Sequence, residues 1–293
     1  MLGKTVMYTV VIPVYRNEES LPDLLLALSA VVRDLHDKSG EVCELVFVID
    51  GSPDASELFL RDRLPDMPCA SKLLVHSRNF GSFAAIRSGL AAGEGDWFAA
   101  VAADLQEPPE LLSAFLDVLR SGTADVVVGT RNSRDDPWSS RLAARVFWGL
   151  YRRWVMPQMP PGGVDVFGCT RRVRDLLLSF HETNSALIGQ LFWVGFRRHT
   201  VPYARRRRTH GQSAWSIGRK IRYMWDSVYS FSDLPIRLLM WIGATGIVLA
   251  GLLGITVVVA RMSGAVPVPV VKCHTGPVAV LLPAVSPSAI TCQ

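Results

Sequence analysis

The sequence predicts an α/β protein: a domain on a mostly parallel sheet, then amphipathic helices suited to a membrane surface, then a transmembrane helix. Three observations carry this reading. Short apolar runs alternate with helix-period segments between residues 8 and 131, the pattern of a parallel sheet covered on both faces. These runs end in polar turns that hold Asp50, Asp104 and Arg131. Residues 238–260 carry no charge, and the stretch exceeds the roughly 20 residues needed to cross a bilayer.

The elements follow in order. Residues 8–13 (YTVVIP) read as the first strand, with Tyr15, Arg16, Asn17, Glu18 and Glu19 in a polar loop beyond it. Ser20 and Pro22 have the chemistry of an N-cap and a first turn, so 21–35 reads as a helix. Residues 44–49 (ELVFVI) form the second strand, which ends at Asp50-Gly51-Ser52-Pro53-Asp54. A helix over 56–63, a strand over 72–76, a loop over 78–81 and a small-residue helix over 82–92 come next. Residues 97–103 (WFAAVAA) are the fourth strand, 109–121 a helix, and 125–129 (DVVVG) a fifth strand leading to Thr130 and Arg131.

The fourth strand is the most informative. Asp104, Leu105 and Gln106 break its apolar run, and Pro108 and Pro109 forbid its continuation. Ligands of open α/β sheets bind beyond the carboxyl ends of such strands. Two apart in an extended segment, Asp104 and Gln106 point to the same side. Both offer oxygen to a hard cation such as Mg2+ or Mn2+. The other reading of Asp104 is a cap for the helix that begins at Pro109. Pro13, Asp50, Asp104 and Arg131 all fall at strand carboxyl ends and are expected to converge on one cleft.

After Arg131 the character changes. Residues 138–155 hold Leu142, Val146, Leu150 and Trp154 on one face, with Arg141, Arg145, Arg152 and Arg153 on the rest. A basic, Trp-rich amphipathic helix suits a membrane surface; a core-packing helix with a solvated basic face fits the same pattern. In residues 216–231, Ile217, Ile221, Met224, Val228 and Phe231 form a helical stripe, opposite Arg219, Lys220 and Arg222. This segment leads straight into the apolar run, which favours the interfacial reading. The chain thus divides into a sheet domain (1–215, with 138–155 as an interfacial helix), an amphipathic segment (216–237), a membrane helix (238–260) and a Pro-rich tail (261–293).

The bulk properties agree. The 293 residues are 49% hydrophobic and 19% charged, with a formal net charge of +5. Arginines 205–208 form a basic block, which can mark nucleic acid or an anionic membrane; the apolar stretch that follows favours the membrane and argues against nucleic acid. The 5 cysteines include no CxxC pair, as expected of reduced thiols. No signal peptide is expected, because the first strand begins at residue 8.

With these positions in place, the chain resembles family 2 glycosyltransferases, and within them the polyprenyl-phosphate glycosyltransferases. The resemblance covers roughly residues 8–260. It rests on PVYRNEESL at 13–21, IDGSPD at 49–54, SRNFGS at 77–82, ADLQEPPE at 103–110, VVVGTR at 126–131, RTHGQS at 208–213 and FSDLPIRLL at 231–239. It implies a GT-A fold, Rossmann-like in its sheet, and inverting transfer of a sugar from a UDP- or GDP-linked donor to a polyprenyl phosphate. It also implies site roles. Pro13, Tyr15, Glu18 and Asp50 would contact the nucleotide, Arg208 the diphosphate, and Asp104 with Gln106 a weakly held divalent cation, Mg2+ or Mn2+. Arg131, helped by Arg141 or Arg145, would hold the acceptor phosphate, and Asp165 would lie near the sugar.

The chain also departs from that pattern. Asn17 stands where the family has Glu, Ile49 and Ala102 where it has acids, and Ala214 where it has Lys. These changes fall on the donor and metal side. They leave open an alternative, a membrane-bound partner protein with weakened catalysis. A processive polysaccharide synthase is disfavoured because Leu150 occupies the Gln position of QxxRW. A nucleotide-dependent dehydrogenase is disfavoured because no GxGxxG follows the first strand. A homo-oligomer is compatible with the sequence.

The basic clusters before residue 238 predict a catalytic domain on the cytoplasmic side of the inner membrane. Beyond Gly264 the prolines at 267, 269, 277, 283 and 287 break any helix. The reading expects an irregular tail across the membrane and a second membrane helix missing through truncation or a shifted reading frame.

Overall fold

A computed structural model describes residues 7–131, 149, 151–153, 155–160, 163–180, 187–206 and 225–263. The first strand, β1 (Met7–Val14), is buried along nearly its whole length. It pairs in parallel with β2 (Val42–Ile49) on one side and with β4 (Trp97–Ala100) on the other. Beyond β2 lies β3 (Ala70–Val75), also parallel.

The other half of the sheet differs from a simple parallel reading. A short strand, β6 (Phe167–Thr170), enters antiparallel between β4 and β5 (Val126–Arg131). The edge strand β7 (Arg198–Tyr203) then runs parallel to β5. The order is β3-β2-β1-β4-β6-β5-β7, so the sheet is mostly parallel, as expected.

Alternation sorts the core into two layers. Val10, Ile12 and Val14 of β1 pack with Leu21, Leu24 and Leu28 of α1 (Leu21–Ser39). Val11 faces the other way, onto Ala85, Ile86 and Leu90 of α3 (Ser82–Ala92). Each such side chain contributes about 1.5–3 kcal/mol by leaving water. α3 lies very close to the sheet: a Cβ at Gly89 would fall 2.3 Å from Val11 Cγ1. α1 outruns its expected end at residue 35, because His36, Asp37 and Lys38 continue its exposed face until Gly40, whose N–H bonds the His36 carbonyl at 2.8 Å. α2 spans Ser56–Arg63 and α4 spans Leu111–Arg120.

β4 is shorter than its apolar run. Its pairing with β6 stops at Ala100–Phe167, so residues 101–103 lack a strand on that side. Val101 N–H still bonds the Val11 carbonyl at 3.1 Å, and the Ala103 carbonyl accepts from Ser20 Oγ at 2.8 Å. The chain thereby leaves the sheet early and turns at Asp104.

After β6 come α5 (Arg171–Ser179) and α6 (Leu187–Trp193). Tyr151 and Met156 are buried in the same core layer as α6, so this described part of the 138–155 segment packs inward. Residues 225–231 are helical, and Phe231 packs so tightly on α6 that a Cβ at Gly189 would lie 2.2 Å from its ring. Trp225 and Tyr229 remain exposed. Residues 132–148 and 264–293, with the tail reading, lie outside the described residues.

The chain forms two compact units, Met1–Arg237 and Leu238–Gln293. The last helix, α7 (Leu234–Met262), is 29 residues long, with an 18-residue window of mean hydropathy 2.3 and no buried residues. It is long and apolar enough to cross a membrane.

Candidate functional site

Four strand ends build the site. At the end of β1 the chain turns through Arg16, whose φ is 57°. Asn17 Oδ1 closes this turn by accepting Tyr15 N–H at 3.0 Å. Arg16 N–H bonds Ser52 Oγ at 2.7 Å, and Glu18 N–H bonds Asp54 Oδ2 at 3.1 Å. Glu18 returns the contact by accepting Ala55 N–H at 3.0 Å. The loops after β1 and β2 are therefore joined side by side, and Glu18 is committed to that junction.

Asp50, at the end of β2, is buried. Its Oδ1 accepts Phe80 N–H at 2.9 Å and faces His76 Nδ1 at 3.0 Å; its Oδ2 accepts Gly81 N–H at 2.8 Å. His76 Nε2 continues to Ser88 Oγ on α3 at 2.9 Å. The carboxylate thus fixes the 76–81 loop and the start of α3. Gly51 makes room for this loop: its φ is 58°, and a Cβ there would lie 2.3 Å from the Arg78 carbonyl carbon.

Beyond β4 the segment 104–106 is turned rather than extended. Asp104 Oδ1 accepts Gln106 N–H at 3.2 Å, and Leu105 sits at a φ of 55°. Positive φ in a branched residue is a local strain of the kind found at functional turns. Gln106 Oε1 accepts from the Arg205 guanidinium, while Gln106 O accepts Arg206 N–H at 2.9 Å. The chain leaving β7 is thus fastened across the turn that leaves β4.

Next to it lies Glu107, buried, with no hydrogen-bond partner for Oε2 among the described residues. Burial, then the neighbouring charges of Asp104 and Asp165, push its carboxyl up to about 7. Arg131 closes the far side at the end of β5. Its Nε bonds Asp165 Oδ2 at 2.5 Å, and Tyr203 Oη donates to the same oxygen at 3.3 Å. Burial, then the Asp165 and Glu107 charges, raise the Tyr203 hydroxyl well above its usual range.

The structure therefore brings Asp104, Gln106, Arg131 and Asp165 to one side of the sheet, with Pro13, Tyr15, Glu18 and Asp50 at the adjoining strand ends. Arg141, Arg145 and Arg208 lie outside the described residues. Glu107, Tyr203 and His76 were not singled out from sequence, and Arg205 only as part of the basic block at 205–208. The first sits inside a quoted motif, but nothing in DLQEPPE marks it as buried.

The fit to a divalent cation is incomplete. Asp104 is an oxygen ligand of the right kind. Gln106 Oε1 is already bonded to Arg205, and Ala102 has no ligand atom. Among the described residues no group of three or more His, Cys, Asp or Glu is placed to hold a metal.

The comparisons meet this geometry. The profile of Glycosyl transferase family 2 matches residues 9–174, which takes in all four strand ends. The chain belongs to glycosyltransferase family 2. This glycosyltransferase is 33% identical to the undecaprenyl-phosphate 4-deoxy-4-formamido-L-arabinose transferase of Pseudomonas paraeruginosa, over 84% of this chain and 71% of that one. The protein of the same name from Edwardsiella ictaluri is 30% identical over 89% of this chain and 79% of its own. A solved structure of glucosyl-3-phosphoglycerate synthase from Mycobacterium tuberculosis, with Mn2+, UDP-glucose and phosphoglyceric acid, is similar at a TM-score of 0.55 and 18% identity. It covers 76% of this chain and 79% of that one, and it shows the fold, which is GT-A. The enzyme reading of the sequence is thereby supported over the partner-protein alternative.

Proposed function

We propose that this glycosyltransferase moves a sugar from a nucleotide sugar to a polyprenyl phosphate, with inversion at the anomeric carbon. The observation that carries the reading is the naming of undecaprenyl phosphate in relatives about a third identical over most of the chain. A helix long and apolar enough to cross a membrane, which would keep the chain where a lipid acceptor lies, supports it.

The chemistry asks little of a base. A phosphate oxygen of the acceptor is already anionic and attacks the anomeric carbon from the face opposite the leaving group. The bond from that carbon to the diphosphate oxygen breaks, and the electron pair leaves with the nucleoside diphosphate. The demanding task is to receive that charge. Tyr15 and Pro13 line the nucleotide side in this account, while Asp50 and Glu18 act through the loops they hold. Arg208 completes the diphosphate side. A divalent cation, Mg2+ or Mn2+, would come in weakly with the donor and be held by Asp104, with Gln106 as a second ligand once released from Arg205. Bound there, it would supply Lewis-acid stabilisation of the leaving diphosphate.

On the acceptor side, Arg131 exchanges part of its bond to Asp165 for the lipid phosphate, a charge-assisted contact. Arg141 and Arg145 assist, and Asp165 and Tyr203 keep the guanidinium aimed. The basic residues before α7 favour a catalytic domain on the cytoplasmic side of the inner membrane.

The test is the product's stereochemistry. Sugar transferred to undecaprenyl phosphate is analysed by NMR for anomeric configuration. Inversion relative to the donor is expected; retention, or transfer to soluble phosphate at the same rate, would overturn the reading.

A further inference from the structure

The donor side holds an unusual balance of charge. Asp104 and buried Glu107 lie near one another, and Asp165 adds to the negative field on Glu107. A diphosphate entering here brings further negative charge, and uncompensated charge in a partly buried site is strongly unfavourable. Cationic help must come from somewhere, and residues 101–103 (VAA) offer no second acid to recruit a metal.

Arg16 and Arg78 stand at the β1 and β2 side of the site, against the Tyr15 and Phe80 rings. Three further arginines lie at the ends of β5 and β7, and their partners differ. Arg131 is paired with Asp165. Arg206 reaches Glu110 at 3.4 Å. Arg205 is bonded to a neutral group, the Gln106 amide oxygen; it has no direct ion pair among the described residues, and its charge acts at longer range on Glu107, lowering that carboxyl. Its guanidinium carries five N–H donors in a planar fork, and Gln106 is the hydrogen-bond partner described for it. It is also exposed. Its backbone is held in place, because the next residue's N–H bonds Gln106 O at 2.9 Å.

Its position is the relevant one. β7 runs parallel to β5, so Arg205, two residues past the end of β7, emerges on the same side as Arg131. The bond to Gln106 then carries the guanidinium over the turn beyond β4, at the carboxyl ends where open α/β sheets take their ligands.

We propose that Arg205 is a catalytic residue of this chain, the cation that binds the donor diphosphate and takes up its charge as the nucleoside diphosphate leaves. Gln106 holds the guanidinium over the site until the donor arrives. The bond broken and the group released are those of the transfer step above; Arg205 contributes charge and hydrogen bonds, and no proton moves. This inference rests on the nucleotide-sugar reading of the site and adds to it that nucleotide binding survives without a divalent metal.

Isothermal titration of the full chain in detergent tests it, with UDP and GDP as probes, each in excess EDTA and in Mn2+. The parent protein is expected to bind one of them in both conditions. Arg205→Ala should weaken binding in EDTA by roughly ten- to a hundred-fold, the worth of one hydrogen bond to a charged group, and Arg205→Glu by more. Gln106→Ala removes the amide and keeps the guanidinium, and should bind in EDTA at least as tightly as the parent. An Arg205→Ala protein that matches the parent in EDTA overturns the proposal. So does a Gln106→Ala loss as large as that of Arg205→Ala. Binding by the parent in Mn2+ alone overturns the role of Arg205 and leaves the donor reading standing. Binding of neither nucleotide in either condition overturns both.

Discussion

Asp50 is the residue whose removal should be felt furthest from its own position. Asp50→Ala withdraws the acceptor from two backbone amides, at 2.9 and 2.8 Å, and from His76 at 3.0 Å. A hydrogen bond to a charged group is worth about 1.5–3 kcal/mol. The loop is half open, with Phe80 49% exposed, so water replaces part of the loss. The net cost is then about 2–4 kcal/mol rather than the sum of three bonds. For a unit of this size that lowers the melting temperature by about 5–15 °C. The assay is thermal unfolding of the full chain in detergent, with hydrogen exchange over residues 76–82. Exchange should rise at the Phe80 and Gly81 amides, and Asp50→Asn, which keeps one acceptor oxygen, should fall between parent and Ala. An Asp50→Ala protein that melts within about 2 °C of the parent, with unchanged exchange at 80 and 81, would refute the clamp.

Other expectations follow from the same contacts. Gly51→Ala places a methyl against the 78–79 backbone at a positive φ and should destabilise by about 2 kcal/mol or more, read as a drop in melting temperature. Glu44 is buried, which alone would raise its pKa, but hydrogen bonds from Lys72, Glu94 N–H and Thr9 bring it below the usual value. Its folded pKa is depressed, so its stabilisation is present above the unfolded carboxylate pKa and is lost as pH falls through the folded one. Glu44→Gln should therefore cost about 1–2 kcal/mol near pH 7, with the gap closing below about pH 4; a gap that stays constant with pH would contradict this. Arg131→Ala should raise the polyprenyl phosphate concentration needed for half-maximal rate while nucleotide affinity stays near that of the parent. Equal losses on both would place Arg131 on the donor side.

β1, β2, β4 and β5 were legible because each is an apolar run ended by turn residues, and burial on both faces leaves no other place for such runs. β3, an edge strand without a buried residue, was read from the short apolar run at 73–75 and its neighbours. β6 was not. Its four residues, FGCT, show no period, and it takes its place only by pairing with strands distant in sequence. β7 was hidden for the opposite reason. As an edge strand it is largely polar and contains Pro202, tolerable only where one side of the ladder is unpaired. That omission explains the site residues that were missed. Tyr203 and Arg205 reach the cleft because β7 delivers them there. The strand-end rule located Asp50, Asp104 and Arg131, but spacing cannot tell which way a carboxylate faces. Asp50 turns inward to the 76–81 loop, and Gln106 is bonded by an arginine 99 positions away.

The central claim is transfer of a sugar to a polyprenyl phosphate. Its most direct measurement gives the purified chain undecaprenyl phosphate and a panel of UDP- and GDP-sugars, with the lipid products resolved by mass spectrometry. The account predicts one glycosylated undecaprenyl phosphate and an equal amount of nucleoside diphosphate. Donor consumed with no sugar on the lipid, or the sugar found on a water-soluble acceptor instead, would contradict it.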